Sequence, residues 1–363
     1  MKILYAVQGT GNGHLSRARD IIPRLQKRGE VDILISGCQA DMSLPFDVKY
    51  CFSGLSFIFG KKGGIDYLET YKRTNLKQLF REINQVPVDD YDIIISDFEP
   101  VSAWACYLKN RRCIGLSHQY GVISKKAPRP LKTDLIGRAV LKYYAPATEK
   151  FGFHFLAYDK HVFTPVIRQE VRALQPVNKG HYTVYLPAYS DERIKKMLFC
   201  FPEIEWQVFS KHCNEASIIE NVSIYPVHNE RFLQSIASAE GVLCGAGFET
   251  PAEVLYLKKK LIVIPMKGQY EQQCNAAALK LLGVPVLKNF KIKQVDKIRK
   301  WLRSEFSAPL TFPDDTDTVI DMVINTGRKI KEPLKLKEVK VDSPSRFREL
   351  VLKKIFHHQQ ARS

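Results

Sequence analysis

The chain has 363 residues, 45% hydrophobic and 26% charged, an ordinary globular composition with room for two domain cores. Its formal net charge of +17 implies attraction to polyanions, whether nucleic acid, an anionic membrane surface or phosphorylated substrates. The 8 cysteines stand singly with no C-x-x-C pair, which argues against a disulfide framework or a zinc site and for reduced, structural thiols.

No apolar run reaches membrane-spanning length, and the N-terminal run KILYAV is cut short by Gln8 and Gly9. Neither a membrane span nor a signal peptide is therefore expected, and the expected location is the cytoplasm. Residues 2–7 read as an apolar strand. It runs into Gly9-Thr10-Gly11-Asn12-Gly13-His14 and then a helix over 15–27 with Ala18, Ile21, Ile22 and Leu25 on its inner face. The spacing is G-x-G-x-G rather than the G-x-G-x-x-G of dinucleotide folds, and the second strand, 31–36, ends in Ser36-Gly37-Cys38 with no carboxylate for a ribose. A lone histidine at a helix start reads, on its own, as a solvated or capping residue.

Residues 46–52 and 56–59 read as strands and 60–64 as a flexible basic turn. A helix over 66–84 follows, with one core face and Lys72, Arg73, Lys77 and Arg81 on the other. Residues 91–96 are a buried-strand run that delivers Asp97 and Glu99 at its carboxyl end, the edge outside which open α/β sheets place their ligands. Turn or cap roles are the plain alternatives for both carboxylates. A strand over 113–116 ends in Ser117-His118-Gln119 on the same edge. Residues 124–142 then set Lys125, Lys126, Arg129, Lys132 and Arg138 beside the apolar stripe Leu135, Ile136, Ala139, Val140 and Tyr143. A basic loop next to an amphipathic helix suits an anionic or lipid-linked acceptor, although charge runs more often serve as solvated surface.

Residues 153–158 and 162–165 read as the last strands of a first sheet, and 175–180 as the hinge. The expected division is a first domain over 1–174, a second over 181–327, and a basic tail over 328–363 with a helix at 346–356. In the second domain, strands at 181–186, 206–210 and 222–227 are interspersed with helices at 191–198 and 230–239. The stretch 242–283 then gives a strand, a glycine turn, a helix opened by Thr250 and Pro251, a strand over 261–265 and a further helix. Glycines at Gly245 and Gly247 let the backbone approach a ligand, and the helix behind them aims its free N–H groups at a phosphate. Glu253 lies one turn into that helix, while Gln272 and Asn275 share a face of the next, a set that suits a sugar diol. Thr250-Pro251-Ala252-Glu253 is equally a capping box. Asp90-Tyr91-Asp92 and Asp315-Thr316-Asp317 have the letters of a D-x-D metal motif. The first only precedes a strand and the second sits at a helix start, so no metal is expected. Helices at 293–306 and 316–325 follow.

Taken together, these motifs resemble the GT-B glycosyltransferases, particularly the MurG-like N-acetylglucosaminyl transferases and the UDP-glycosyltransferases. Those families carry a Gly-Ala turn, Thr-x-x-Glu and an Asp-Gln-x-x-Asn-Ala-like motif, matched here by Gly245-Ala246, Thr250 to Glu253 and Glu271 to Ala276. Their N-terminal Gly-Thr-Gly-Gly-His loop is matched by Gly9 to His14 with one residue inserted. The resemblance implies an α/β fold of two Rossmann-like domains facing across a cleft, with a terminal helix crossing back to the first.

It also implies inverting transfer of a sugar from a nucleotide-linked donor, of the UDP type, to an acceptor hydroxyl. His14 would be the base and Asp97 its partner, with Glu99 in reserve. Donor contacts are expected at Gly11, Gly13, Gly245, Ala246, Gly247, Thr250, Glu253, Gln272 and Asn275, and acceptor-side contacts at His118, Lys125 and Lys126. No cofactor is expected besides the donor itself. The families' Gly-Gly-Ser-x-Gly loop is replaced here by Leu186-Pro187-Ala188-Tyr189-Ser190, so diphosphate contacts there are not implied. The expected partners are the donor, a lipid-linked or anionic acceptor and an anionic membrane surface, and not nucleic acid. Two other functions stay open: a nucleotide-sugar 2-epimerase on the same scaffold, and a non-catalytic polyanion- or membrane-binding protein motivated by the charge alone.

Overall fold

The computed structural model describes residues 1–37, 44–55, 59–60, 64–65, 75–132, 134–305, 308–329, 341 and 343–356. Cys38, residues 56–58 of the strand expected over 56–59, residues 61–63 of the basic turn and the first part of the helix expected from 66, with Lys72 and Arg73, lie outside the described residues.

Two sheets face each other. The first contains β1 (Lys2–Gln8), β2 (Glu30–Ser36) and β3 (Tyr50–Phe52). A short antiparallel pair, β4 (Phe59–Gly60) and β5 (Gly64–Ile65), stands apart from it. The sheet continues with β6 (Ile93–Asp97), β7 (Ile114–Ser117), β8 (Glu149–Phe153) and β9 (Val162–Phe163). Its order is β3-β2-β1-β6-β7-β8-β9, and every pairing is parallel. The central strands are buried on both faces by helices, so β1 and β6 read as unbroken apolar runs rather than alternating ones.

The second sheet is built from β10 (Tyr182–Tyr185), β11 (Trp206–Ser210), β12 (Ser217–Ile219), β13 (Val222–Pro226), β14 (Gly241–Gly245) and β15 (Lys260–Ile264). Its order is β12-β13-β11-β10-β14-β15, parallel except for the exposed edge strand β12. In each sheet the chain reverses its winding beside the first strand of that half, between β1 and β6 and between β10 and β14. Crevices at the carboxyl ends of strands form at such reversals.

The helix Asn12–Gln26 buries Leu15, Ala18, Ile21, Ile22 and Leu25, the face expected from its spacing. Elsewhere the elements are shorter than the patterns suggest. The strand read over 46–52 is only β3 and the helix read over 293–306 is Val295–Leu302, while the strand read over 153–158 does not form there, because β8 precedes it and reaches only Phe153. An apolar run extends past the end of a strand or helix whenever the connecting chain is itself buried, as Phe155 is.

Both terminal helices lie against the first sheet's half. Helix Thr316–Lys329 buries Val319, Ile320, Val323 and Ile324, and is tied to helix Asn12–Gln26 through Arg24 to Asp314 and Asp317 and Arg28 to Asp317 and Asp321. These pairs occupy Asp317 of the second D-x-D sequence, while Asp92 of the first accepts the backbone N–H of Lys2. Helix Pro344–Phe356 inserts the fully buried Phe347 against Trp104 and Phe80, with ring centroids 5.3 and 5.7 Å away. Among the described residues no helix is long and apolar enough to cross a membrane.

Candidate active site

The loop after β1 is compressed against β2. A Cβ on Gly9 would stand 2.2 Å from the carbonyl oxygen of Gly37, and the Gly9 N–H donates to Ser36 O at 2.7 Å, so only glycine fits. This tight turn starts the next helix at Asn12 and sets His14 in its first turn, on the cleft side of the reversal. On the other side of the reversal β6 ends in Asp97, which is paired in register with Val7. The next residue, Phe98, takes φ +56°, a left-handed conformation unusual for a side-chain-bearing residue. That sharp turn sends Glu99 back over the start of helix Pro100–Leu108.

Asp97 is fully buried and holds His14 and Arg17, and it also accepts from the Tyr5 hydroxyl at 3.4 Å. His14 Nδ1 lies 2.9 Å from Oδ1, while Arg17 donates Nη2 to Oδ1 at 2.6 Å and Nε to Oδ2 at 3.2 Å. Burial alone would raise the Asp97 carboxyl, but Arg17 and then His14 outweigh it and hold it below the usual range. An ionised Asp97 makes His14 Nδ1 the donor, which leaves the lone pair on Nε2. That atom lies 3.3 Å from Gln119 Nε2, which also donates to Glu271 Oε2 at 3.0 Å. A histidine fixed in this tautomer can accept a proton at Nε2 while the buried carboxylate stabilises the resulting imidazolium.

Among the described residues, two pockets open into the cleft. One, of about 250 Å³, is lined by Gly11, Gly13, His14, Arg17, Gly247 and Gln272 among others. The second, of about 540 Å³, lies over the carboxyl ends of β10, β11 and β13, where Tyr185, Ser210 and His228 meet Arg168, Thr250 and Glu253.

Helix Glu249–Tyr256 begins one residue before Thr250, and its cap position, Phe248, makes no side-chain hydrogen bond. The capping box expected at Thr250 to Glu253 therefore does not form. Instead both Glu253 oxygens accept from Arg168. The Glu249 carboxylate faces Arg17. Burial pushes the Glu249 carboxyl up to about 7 against the opposing pull of Arg17, though a fifth of the side chain is open to the cleft.

Of the other expected residues, His118 and Gln272 line the smaller pocket, while Glu99 and Asn275 sit outside both. Glu99 is fully buried and caps its own helix, accepting from the N–H groups of Val101 and Ser102 and from the hydroxyl of Ser36. Asn275 is fully buried, donates to Ala246 O at 3.2 Å and sets Oδ1 2.8 Å from His118 Nε2. His118 stacks on Phe248 with centroids 3.7 Å apart, and its Nδ1 lies 2.9 Å from Phe153 O. Burial holds this ring's pKa well below its ordinary value. A neutral ring has one N–H, so only one of the two acceptor contacts can be a hydrogen bond at a time. His118 and Asn275 thus bridge the two halves. Gln272 Oε1 accepts from Met266 N at 2.9 Å, and Lys125 and Lys126 are exposed. Sequence reading missed Arg17, Arg168 and Glu249, and placed Glu271 only as part of a motif. Arg17 lies one turn beyond His14 on the same face, and Glu249 immediately precedes Thr250, so their positions were visible but their partners were not.

Residues 1–304 match the sequence profile described as glycosyl transferase family 1. No curated protein matches the chain by sequence. Solved structures match its fold at low identity. They include Arabidopsis thaliana UGT89C1 complexed with UDP-L-rhamnose (TM-score 0.55, 14% identity, covering 98% of this chain and 99% of that one). MurG of Acinetobacter baumannii matches at TM-score 0.54 and 14% identity over 89% and 99% of the two chains. The glycosyltransferase SnogD from Streptomyces nogalater matches at 0.50 and 12% over 90% and 99%. With a profile match that spans both sheets and a GT-B architecture around the cleft, the chain belongs to glycosyl transferase family 1 and is a glycosyltransferase.

Proposed function

We propose that the chain transfers a sugar, with inversion, from a nucleoside diphosphate donor to an acceptor hydroxyl. The observation that carries this reading is the His14–Asp97 pair, 2.9 Å apart at the reversal of the first sheet and facing the helix Glu249–Tyr256 of the second. His14 Nε2 takes the acceptor proton, Asp97 stabilises the imidazolium, and the acceptor oxygen displaces the diphosphate in one step. Glu99, bound up in its cap, has no part in that step.

The nucleoside lies in the larger pocket, where Glu253 accepts from the ribose hydroxyls and Thr250 lies close by. The sugar reaches the smaller pocket, among Gly247, Gln272 and Glu271. UGT89C1 in complex with UDP-L-rhamnose supports a UDP-linked donor. We place the division between the halves at 175–180 and assign the two terminal helices to the first half, which they pack against.

On the acceptor side, the exposed Leu131, Leu135 and Ile136 stand among Lys125, Lys126, Arg129, Lys132 and Arg138, and helix Leu135–Tyr143 carries Val140 and Leu141 into the smaller pocket. Apolar side chains ringed by cations suit an acceptor carried at an anionic membrane surface.

A thermal-shift screen of nucleotide sugars, followed by assay of donor hydrolysis and transfer, tests the reading. Stabilisation by one nucleoside diphosphate sugar and a donor-dependent product are expected. Salt-sensitive binding of polyanions with indifference to every donor would contradict it.

A further inference from the structure

Among the described residues, the two pockets of the cleft share only Gly13 and Glu249. A donor with its nucleoside in the larger pocket and its sugar beside His14 must carry its diphosphate over that septum. What stands there is a carboxylate. Glu249 lies against Gly13, where an added Cβ would come within 3.0 Å of Glu249 Cγ, and its Oε1 meets Arg17 Nη1. Arg17 comes from His14's own helix and is 2% exposed, with Nε and Nη2 fixed on Asp97 at 3.2 and 2.6 Å. One edge of the guanidinium is thus anchored to the catalytic pair, while Nη1 is held by a carboxylate partly open to the cleft. Burial works against keeping that carboxylate charged, as its upward shift to about 7 reflects.

We propose that Glu249 is an internal stand-in for the donor's diphosphate, and that Arg17 is a catalytic residue that exchanges Glu249 for a β-phosphate oxygen when the donor binds. The inference rests on the nucleotide-sugar reading above. In the transfer step the bond from the sugar's anomeric carbon to the β-phosphate oxygen breaks, and its electron pair stays on that oxygen. The acceptor oxygen forms the new bond to the anomeric carbon and its proton passes to His14 Nε2. The leaving diphosphate thereby gains one negative charge, beside a guanidinium already held in place by Asp97. A charge-assisted N–H to a phosphate oxygen is stronger at that moment than in the ground state, which is what accelerates departure. The first half supplies this cation, and the segment Leu186 to Ser190 of the second contains no glycine turn that would supply backbone N–H groups instead.

Calorimetric titration with UDP, UMP and uridine separates the possibilities, with TDP and GDP and their nucleosides as further probes. In Glu249→Gln the competing anion is gone, so UDP binds roughly five- to tenfold tighter and uridine is unchanged. Arg17→Lys keeps a charge but loses the fork, so UDP weakens roughly tenfold, uridine is again unchanged, and kcat falls with the sugar donor. An unaltered or weaker UDP affinity in Glu249→Gln would overturn the proposal, leaving the Arg17–Glu249 pair a structural contact. Failure of the nucleotide reading looks different: the wild-type protein itself then binds no nucleoside diphosphate, and the proposal falls with it.

Discussion

Arg168 holds both carboxylate oxygens of Glu253 from the opposite half of the molecule, Nε to Oε1 at 2.6 Å and Nη2 to Oε2 at 3.0 Å. The pair is almost fully buried, and Arg168 Nη1 also donates to Asn229 Oδ1 at 2.8 Å. A two-point grip of this kind fixes the carboxylate plane and leaves its outer lone pairs for hydroxyl donors in the larger pocket.

Glu253→Gln is therefore expected to act twice. Breaking a buried pair by removing one charge destabilises by about 3 to 5 kcal/mol, and the loss of a charge-assisted bond to the ribose weakens donor affinity roughly ten- to hundredfold. Chemical denaturation and nucleotide titration on the same variant separate the two. A drop in stability with unchanged donor affinity would leave Glu253 as an interdomain contact alone.

The raised carboxyl of Glu249 has a signed consequence for stability. Between the ordinary carboxyl value of 4.5 and about 7, the folded protein retains a proton that the unfolded chain has released. Stability carried by this group is thus lost as pH rises through that window. Melting temperatures of wild type and Glu249→Gln, measured from pH 4 to 8, are expected to shift in the variant's favour over the window and run parallel above it. Profiles that stay parallel throughout would show that Glu249 ionises normally.

The apolar and basic surface around Leu135 leads to a vesicle experiment. Vesicles containing anionic lipid are expected to bind the protein at low salt and release it as salt rises, and Leu131→Asp with Leu135→Asp is expected to weaken binding roughly tenfold or more. Equal partitioning of wild type and variant would remove the membrane from the account and leave a soluble acceptor.

Much of the fold was legible because buried parallel strands have only one composition. β1 and β6 are apolar runs ending in a glycine loop and in Asp97, and β14 and β15 read the same way in the second sheet. Side-chain partners were not legible. Arg17 meets Asp97 from 80 residues away and Glu249 from 232, and before those contacts are known it is one cation among many on a helix. Asn275 shows the limit of face arguments. Positions i and i+3 differ by roughly 60° around a helix, enough to leave Gln272 in the pocket and turn Asn275 into the interface with His118. Glu99 had two readings open, cap or catalytic reserve, and it caps its own helix, just after the left-handed Phe98.

Asp97 has two roles in this account, orienting His14 and anchoring Arg17, and its replacement is expected to show both. Asp97→Asn keeps the shape but removes the charge, so transfer should fall by roughly a hundredfold or more, while Asp97→Asn combined with His14→Ala should be little worse than His14→Ala alone. Rate losses that simply multiply would mean that the two side chains do not act as a unit.

The most direct test of the central claim is single-turnover transfer by His14→Ala alongside donor titration. The histidine belongs to the first half and the nucleoside pocket largely to the second, so the account expects a rate loss of roughly a hundred- to ten-thousandfold with donor affinity within a few fold of wild type. Near-normal turnover in His14→Ala would contradict it.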